Sequence, residues 1–483
     1  MESSVQPVPL LSFRSVRLRV GVLMLAALCI EGLMRSNLNM AMVCMNGKLV
    51  WSTKEQGWIF AAYYIGTLLI VIPGTYLIDT FGATFVVQFG AVVNAIGTFL
   101  TPVTSEFLGP YALLFIRFCM GAGQGILQPC TSVLIAHWFP QQERSFAVGL
   151  STAGNQLSII IAMVFTAGLC QVSVLGGWPA AFYLHGIIGL VLCVLWYSYV
   201  KDVPTCYKGI SDAELSYITG GSSERGQKRM PIDVPWKNIL LSLPVWATAL
   251  SSFSQSFATV GMVTYIPLYY RVVLRMNLTA NGILSAAPFL SQLLSKIIFV
   301  YVATVATRHG FSLTVVTKVC NLIAALGTAA CYICLIFLDC GSKWIAISMI
   351  CMAMALLSGY VPGYQTGIVS IAPKYTAAIA SFCRLTGNIA SVVSPALIGW
   401  IAKKGSLDEW RIIFIVMTVT LLATGTCYQL WGSADAESWA QDTGKDESAQ
   451  KLVPKGELIL SDKVQHDINV PQNATYHFSC NVD

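Results

Sequence analysis

Charge is scarce in this chain: Asp, Glu, Lys and Arg together make up 11% of 483 residues, where an ordinary soluble protein devotes about a quarter of its positions to them. So few charges cannot cover a water-soluble body of this size, and soluble enzymes, secreted scaffolds and disordered chains are all disfavoured. Also lacking are a Walker loop, a zinc-ligand spacing and a Ser/His/Asp arrangement, so neither enzymatic catalysis nor a metal or cofactor site is expected. The net charge is +6, but the basic residues are scattered over loop ends without a basic, aromatic-interleaved stripe, and no nucleic-acid partner is expected. Fifteen cysteines are present. Most, such as Cys29, Cys119, Cys193, Cys351 and Cys427, lie in apolar runs where a thiol behaves as a small hydrophobe, so no disulfide framework is expected. Cys331 and Cys334 spell CxxC inside an apolar helix with no second pair, which is no basis for metal or redox chemistry.

Hydrophobic residues fill 55% of the chain. Windows of about 20 residues, the length that crosses hydrocarbon, fall at 18–43, 56–78, 83–102, 111–134, 145–168, 179–200, 244–268, 281–304, 314–337, 344–366, 375–402 and 411–431. The first follows Arg14, Arg17 and Arg19 as a signal peptide would, but it is too long and carries Arg35, so it reads as a retained spanning helix. The expectation is an all-α membrane protein of twelve transmembrane helices in two six-helix halves, bounded as 1–17 amino terminus, 18–200 first half, 201–243 polar linker, 244–431 second half and 432–483 disordered tail. Basic residues are more numerous in the loops on the side of the amino terminus and linker, which places both termini and the linker in the cytoplasm. The sequon at Asn277 then faces outside or the lumen, very near a helix end, and that at Asn473 faces the cytoplasm.

Away from the span ends, where Arg19, Lys318 and Arg411 belong with the loops, six acidic, basic or histidine side chains remain: Glu31, Arg35, Arg117, His185, Lys296 and Arg384. Each is costly in hydrocarbon unless it meets a partner or a polar cavity, so function is the default reading. Glu31, Arg35 and Asn39 follow at i, i+4, i+8 along one helix face, where Glu31 can pair with Arg35. Arg117, Gly121, Gln124, Gln128 and Ser132 make a second stripe, and Ser381, Arg384, Asn388 and Ser391 a third. Three such stripes converge most simply on a water-accessible cavity that attracts anions, with Arg35 and Arg117 in one layer and Lys296 and Arg384 nearer the cytoplasm. Lys296 could instead snorkel to the inner surface, and His185 could be a packed polar residue or a proton relay. Gly121-Ala-Gly-Gln-Gly125 follows no strand and reads as close helix packing rather than a nucleotide loop. Gly359, Pro362, Gly363 and Gly367 predict a kink in the tenth span.

The layout resembles the major facilitator superfamily, and Gly74-Thr-Tyr-Leu-Ile-Asp79-Thr-Phe-Gly82 resembles its loop between spans two and three, without the basic residues that usually follow. Nearly the whole membrane body is similar to the anion-transporter family of sialin, the vesicular glutamate and nucleotide transporters and the type I sodium-phosphate cotransporters. The similarity rests on Arg35-Ser-Asn-Leu-Asn39, Ile72-Pro-Gly-Thr-Tyr76, Arg117 with Gly121 and Gly125, and Gln142-Glu-Arg-Ser145. It continues in Gly177-Trp-Pro-Ala-Ala-Phe-Tyr183, Pro235-Trp236, Leu243-Pro-Val-Trp-Ala247, Ser285-Ala-Ala-Pro288, Ile371-Ala-Pro-Lys-Tyr375 and Gly432-Ser-Ala-Asp-Ala-Glu-Ser-Trp-Ala440. The resemblance implies secondary transport of an organic or inorganic anion, carboxylate or phosphate, by alternating access. Coupling would be to sodium, protons or membrane potential. Substrate would meet Arg35 and Arg117, with Arg384, Asn39, Gln124 and Asn388 lining its path and Glu31, Asp79, His185 and Lys296 serving coupling or gating. The family's acidic residues and histidine in span four are replaced here by Met120, Gln124 and Ser132, its span-two histidine by Phe60 and its span-seven arginine by Gln255; Gln124 and Arg384 resemble the sodium-phosphate and organic-anion subgroup. Alternatives are an uncoupled, channel-like anion conductance and a non-transporting receptor or scaffold. The expected partners are a small anion and the lipid bilayer, the expected state a monomer, and the expected location the plasma membrane or a vesicular or lysosomal membrane; Leu10-Leu11 resembles a sorting signal without its acidic residue.

Overall fold

The computed structural model describes residues 15–437 and Trp439, except 46–48, 50, 141–142, 173–175, 208, 220–233, 340, 373–374 and 404. Leu10-Leu11, Gln142, the centre of the linker, the Asn473 sequon and the tail beyond Trp439 lie outside the described residues. Twelve long helical segments succeed one another: α1 Val16–Met45, α2 Thr53–Phe81, α3 Ala83–Val103, α4 Pro110–Trp138, α5 Arg144–Leu169, α6 Trp178–Tyr199, α7 Leu243–Val272, α8 Leu278–Arg308, α9 Leu313–Phe337, α10 Lys343–Ile371, α11 Thr376–Ile401 and α12 Leu407–Trp431. Nine of them are apolar enough throughout to count as spans by composition alone. Of the other three, α1 touches α7 and α2 touches α11 across the boundary between the halves.

Helix ends are set by local chemistry. Ser52 and Glu55 form a capping box on α2, and Ser406 and Glu409 form one on α12, satisfying amides that have no partner inside the helix. The side-chain oxygen of Asn277 accepts from the Ala280 amide at 2.8 Å, so the sequon asparagine is the N-cap of α8. The fourth span is broken at Ile126 instead of running straight: Pro129 has no N–H to return to the carbonyl one turn earlier. The predicted kink in α10 falls at Gly363, whose ψ of −118° leaves the helical region just after Pro362.

Glycines fix how closely helices approach. A Cβ on Gly121 of α4 would meet the Tyr63 carbonyl of α2, and one on Gly66 would meet the Phe118 carbonyl in return, so the glycine stripe serves close packing as expected. Where the chain runs from α1 into α2, the two halves also touch. A Cβ on Gly57 of α2 would stand 2.7 Å from the Pro395 carbonyl and 3.1 Å from Cα of Gly399 on α11, and the Tyr265 hydroxyl of α7 donates to that same carbonyl at 3.1 Å. Gly282 of α8 packs likewise on Met163 and Ala167 of α5. At the other face, which carries the linker, the halves part: Gly149 of α5 has nothing within 4 Å of its Cβ position. A cleft of about 690 Å³ opens there between α5 and α8. The molecule is closed at one face and open at the linker face.

Cys44, in the last turn of α1, and Cys170, after α5, form a disulfide at the closed face. This corrects the expectation of no disulfide framework. The two cysteines lie 126 positions apart in separate apolar runs, and only the pairing of α1 with α5 brings them together.

On the linker face the chain ties itself to the start of α1. Glu214, on the short helix Asp212–Thr219, accepts from the Ser15 hydroxyl at 2.8 Å, from the amides of Val16 and Arg17 at 3.2 and 3.1 Å, and from Arg17 Nε at 3.1 Å. A carboxylate at a helix N-terminus satisfies free amides and complements the helix dipole. Arg17 also reaches Glu143 at 2.7 Å and lies 4.6 Å from the Tyr217 ring centre. Burial pushes the Glu214 carboxyl up, but the Arg17 amide, the Ser15 hydroxyl, the Val16 amide and the Arg17 guanidinium together hold it below the usual carboxylate value of 4.5. A depressed folded pKa means that the tie is fully present at neutral pH and is lost as pH falls through the folded value. We expect Glu214→Gln at pH 7, and the native chain once the pH falls below the folded value of Glu214, to lose roughly tenfold in amide-exchange protection across 212–219. Unchanged protection in Glu214→Gln would show that the short helix is held by other contacts.

Candidate anion site between the two halves

Arg117 sits on α4 one turn before Gly121, and the close α2–α4 approach buries its side chain to 2% exposure. Its Nη2 donates to the backbone carbonyl of Arg35 at 2.9 Å, and its guanidinium lies 5.1 Å from the Tyr63 ring centre. Nε and Nη1 are buried without a protein acceptor. Arg35 of α1 is half-buried and donates through Nη2 to Asn155 Oδ1 of α5 at 2.7 Å. Among the described residues no carboxylate pairs with either arginine. Two guanidiniums thus share one layer of the first half, one with unfilled donors beside the Tyr63 ring; the Tyr63 hydroxyl and, two turns along α4, Gln124 Oε1 are likewise buried without a partner among the described residues. Such a pair is arranged to receive an oxyanion, since the guanidinium fork matches carboxylate and phosphate in a bidentate way.

The expected pairing of Glu31 with Arg35 does not occur. Both Glu31 oxygens are buried without a hydrogen-bond partner, and the side chain is 2% exposed. The i, i+4 spacing permits contact, but Asn155 on the facing helix takes Arg35 instead. Glu31 lies within electrostatic reach of Tyr63 on α2 and Cys193 on α6.

In the second half, Arg384 and Asn388 lie on α11. Arg384 is about three turns from Pro395 and on the same helix face; Pro395 marks where α11 touches α2 at the closed face. Arg384 is thus on the α11 face that meets α2, and it is exposed with no hydrogen-bond or ion-pair partner among the described residues. Asn388 is half-buried one turn further in, and Asn39 of α1 is buried at 6% exposure. Gln255, at the position where glutamate transporters carry an arginine, accepts from the Tyr364 hydroxyl at 2.5 Å and from Gln365 at 3.2 Å. It is thereby committed to the α10 kink.

The remaining candidates stand apart from the arginine pair. His185 is buried in α6 with Nδ1 unpartnered and makes no hydrogen bond to either arginine. Asp79 is exposed at the end of α2 and makes no ion pair among the described residues. The α2–α3 loop is held by Asp202 instead, which accepts from the Thr84 amide at 2.8 Å and presents its carbonyl to His137 at 2.9 Å. Lys296 turns across to α5, donating to Gln156 Oε1 at 2.5 Å, while Gln156 donates to Gln292 at 2.8 Å; it does not run toward the surface. Asn155, Gln156, Tyr63 and Asp202 were not singled out by sequence. They are uncharged, aromatic or apparently ordinary loop residues until a partner from a distant helix is known.

With this architecture in view, the class is defined by comparison. The model of the Major Facilitator Superfamily matches residues 24–383, and the chain belongs to that superfamily of multi-pass membrane transporters. It is 31% identical over 380 residues to the chloroplastic ascorbate transporter of Arabidopsis thaliana, covering 78% of this chain and 68% of that one. Human sialin is 28% identical over 394 residues, covering 81% and 78%. A putative inorganic phosphate cotransporter of Drosophila melanogaster is 27% identical over 398 residues, covering 82% and 75%. Among solved structures, a bacterial homolog of the human lysosomal transporter Spinster in an inward-facing, unoccupied conformation superposes with TM-score 0.70 at 13% identity, covering 87% of this chain and 97% of that one. A D-xylose-proton symporter gives 0.69 at 14%, covering 87% and 99%. These two establish the fold.

Proposed function

We propose that this protein is a secondary carrier for a small organic or inorganic anion, binding it at Arg117 and Arg35 and exposing it alternately to the two faces. The carrying observation is the Arg117 guanidinium, buried with Nε and Nη1 unfilled beside a second arginine and no paired carboxylate. The names of its relatives, which concern phosphate, ascorbate and sialin, agree with an oxyanion class. Arg384 receives the anion on the open side, with Asn388, Asn39 and Gln124 lining its way. On this reading the linker face is cytoplasmic, and the disulfide at the opposite face lies on the oxidising side of a plasma, vesicular or lysosomal membrane. The protein works as a monomer, without a cofactor and without covalent catalysis.

Glu31 couples the cycle to protons. Its neighbours in reach are Tyr63 on α2 and Cys193 on α6; Arg35, one turn on along its own helix, is held by Asn155, and Ser158 and Asn155 of α5 lie against the adjacent Gly32. Protonation removes a negative charge that competes with substrate for the arginine pair. In proteoliposomes challenged with phosphate, urate, glutamate, sialate, ascorbate and ATP under sodium, proton and potential gradients imposed singly, one anion is expected to accumulate against its gradient. Glu31→Gln is expected to retain anion exchange and to lose the response to the proton gradient. Accumulation of no anion would sink the carrier reading, and an intact proton response in Glu31→Gln would move coupling elsewhere.

A further inference from the structure

We propose that the cleft between α5 and α8 is a second anion site, shaped for an amphipathic organic anion whose charged head meets Lys296 and whose apolar body lies along Leu293, Ile297, Val300 and Tyr301. The cleft has a volume of about 690 Å³, which is in the range of sites for drug-sized ligands and far above what a bare inorganic anion requires. Its lining includes two cations, Lys296 and Arg308, and no carboxylate among the described residues. Lys296 points inward. Its ammonium group has three N–H donors, of which Gln156 takes one, and no other protein acceptor is present among the described residues. Gln292 holds Gln156 in place, so the lysine is positioned in the cleft and not left to wander.

The wall decides the ligand class. Lys296 lies twelve positions before Arg308, about 18 Å along the helix, and the surface between them is formed by Ile297, Val300, Tyr301 and Val305 with Thr304 as its polar member. A hydrated phosphate finds nothing to replace its water along that stretch. An anion with an apolar tail does, because every methylene taken out of water against that wall is stabilising. Ile297 and Tyr301 are 66% and 69% exposed, so the cleft is open along its side toward lipid as well as toward the linker face. The head-plus-tail chemistry can therefore come from a free organic anion or from an ionised single-chain lipid. Neither Arg35 nor Arg117 lines the cleft, although Gln156 directly follows the Asn155 that holds Arg35, and occupancy of the cleft does not depend on the transport assignment.

The test uses the full chain in phosphatidylcholine nanodiscs, photolabelled with dodecanoate carrying a terminal diazirine and mapped by mass spectrometry. Adducts are expected on α5 and α8 within the cleft, suppressed by unlabelled dodecanoate and unaffected by inorganic phosphate. Lys296→Gln, which keeps a polar partner for Gln156, should cut specific labelling roughly tenfold, while Lys296→Arg keeps it. Competition by water-soluble phenylbutyrate supports a free organic anion as occupant; competition by lysophosphatidic acid in the disc but not by phenylbutyrate supports a lipid. Labelling that is unchanged in Lys296→Gln at equal melting temperature, or displaced equally by phosphate, overturns the proposal. Arg117→Lys should leave labelling intact, so failure of the transport reading and failure of this one give different results.

Discussion

Arg117→Lys is expected to lower anion uptake roughly a hundredfold while leaving the protein folded and inserted. The substitution keeps the positive charge and most of the aliphatic stem, so a purely electrostatic site would tolerate it. A site that uses the planar guanidinium would not: a lysine ammonium is a compact point charge and cannot reproduce the fixed Nε and Nη1 donors, which stand unfilled on separate edges of the native guanidinium. Two charge-assisted hydrogen bonds to an ionised ligand contribute about 1.5 to 3 kcal/mol each, and the loss of both corresponds to two orders of magnitude or more. The Nη2 bond to the Arg35 carbonyl at 2.9 Å is within a lysine's chemistry to replace, which protects the α1–α4 contact. Arg35→Lys should be milder, about tenfold, because Arg35 is half-buried and already spends one donor on Asn155. The measurement is initial uptake against substrate concentration in proteoliposomes, normalised to inserted protein. Equal effects of the two substitutions, or a full-rate Arg117→Lys carrier, would remove Arg117 from the substrate contact.

Much of this arrangement was legible in the sequence. Twelve windows match the twelve helices, two of them overrunning a helix end by one residue, Arg35 and Arg117 stand together as their matched depths implied, and the glycines of α4 pack against α2. What escaped depends on partners contributed by distant segments. Glu31 and Arg35 have the right spacing on one helix, yet the pairing was settled by an asparagine 120 positions away. Cys44 and Cys170 look like any apolar thiols until α1 and α5 are neighbours. Glu214 reads as a linker charge, and only the folded linker reveals it as the cap of α1 across 198 positions. Periodicity reports which face of a helix is polar; it carries no information on which neutral side chain of another helix will occupy that face.

Gly57→Val is expected to stop transport by a different route, leaving substrate binding in place. At the closed face the added Cβ would meet the Pro395 carbonyl at 2.7 Å, Cα of Gly399 at 3.1 Å and the Tyr265 hydroxyl at 3.2 Å. The first two are backbone atoms of α11, which cannot rotate away as a side-chain tip can. Gly399 is equally tight in return, its Cβ position lying 2.6 Å from the Thr53 carbonyl and 2.8 Å from Cα of Gly57. Overpacking of this kind costs about 1 to 3 kcal/mol, and the upper end shifts the ratio of closed to open forms at this face by roughly two orders of magnitude. Because alternating access requires each face to close in turn, a carrier held open at this face binds its anion from that side and cannot deliver it. Spin labels on Lys54 and Lys403 should report a longer distance in Gly57→Val than in the native chain. Anion-dependent protection against thermal unfolding should persist, and uptake should fall to background. Gly57→Ala, with a single methyl, should give an intermediate rate. Native distances together with native uptake in Gly57→Val would mean that the α2–α11 contact is incidental to closure and that the seal lies with Gly282, Met163 and Ala167 between α5 and α8.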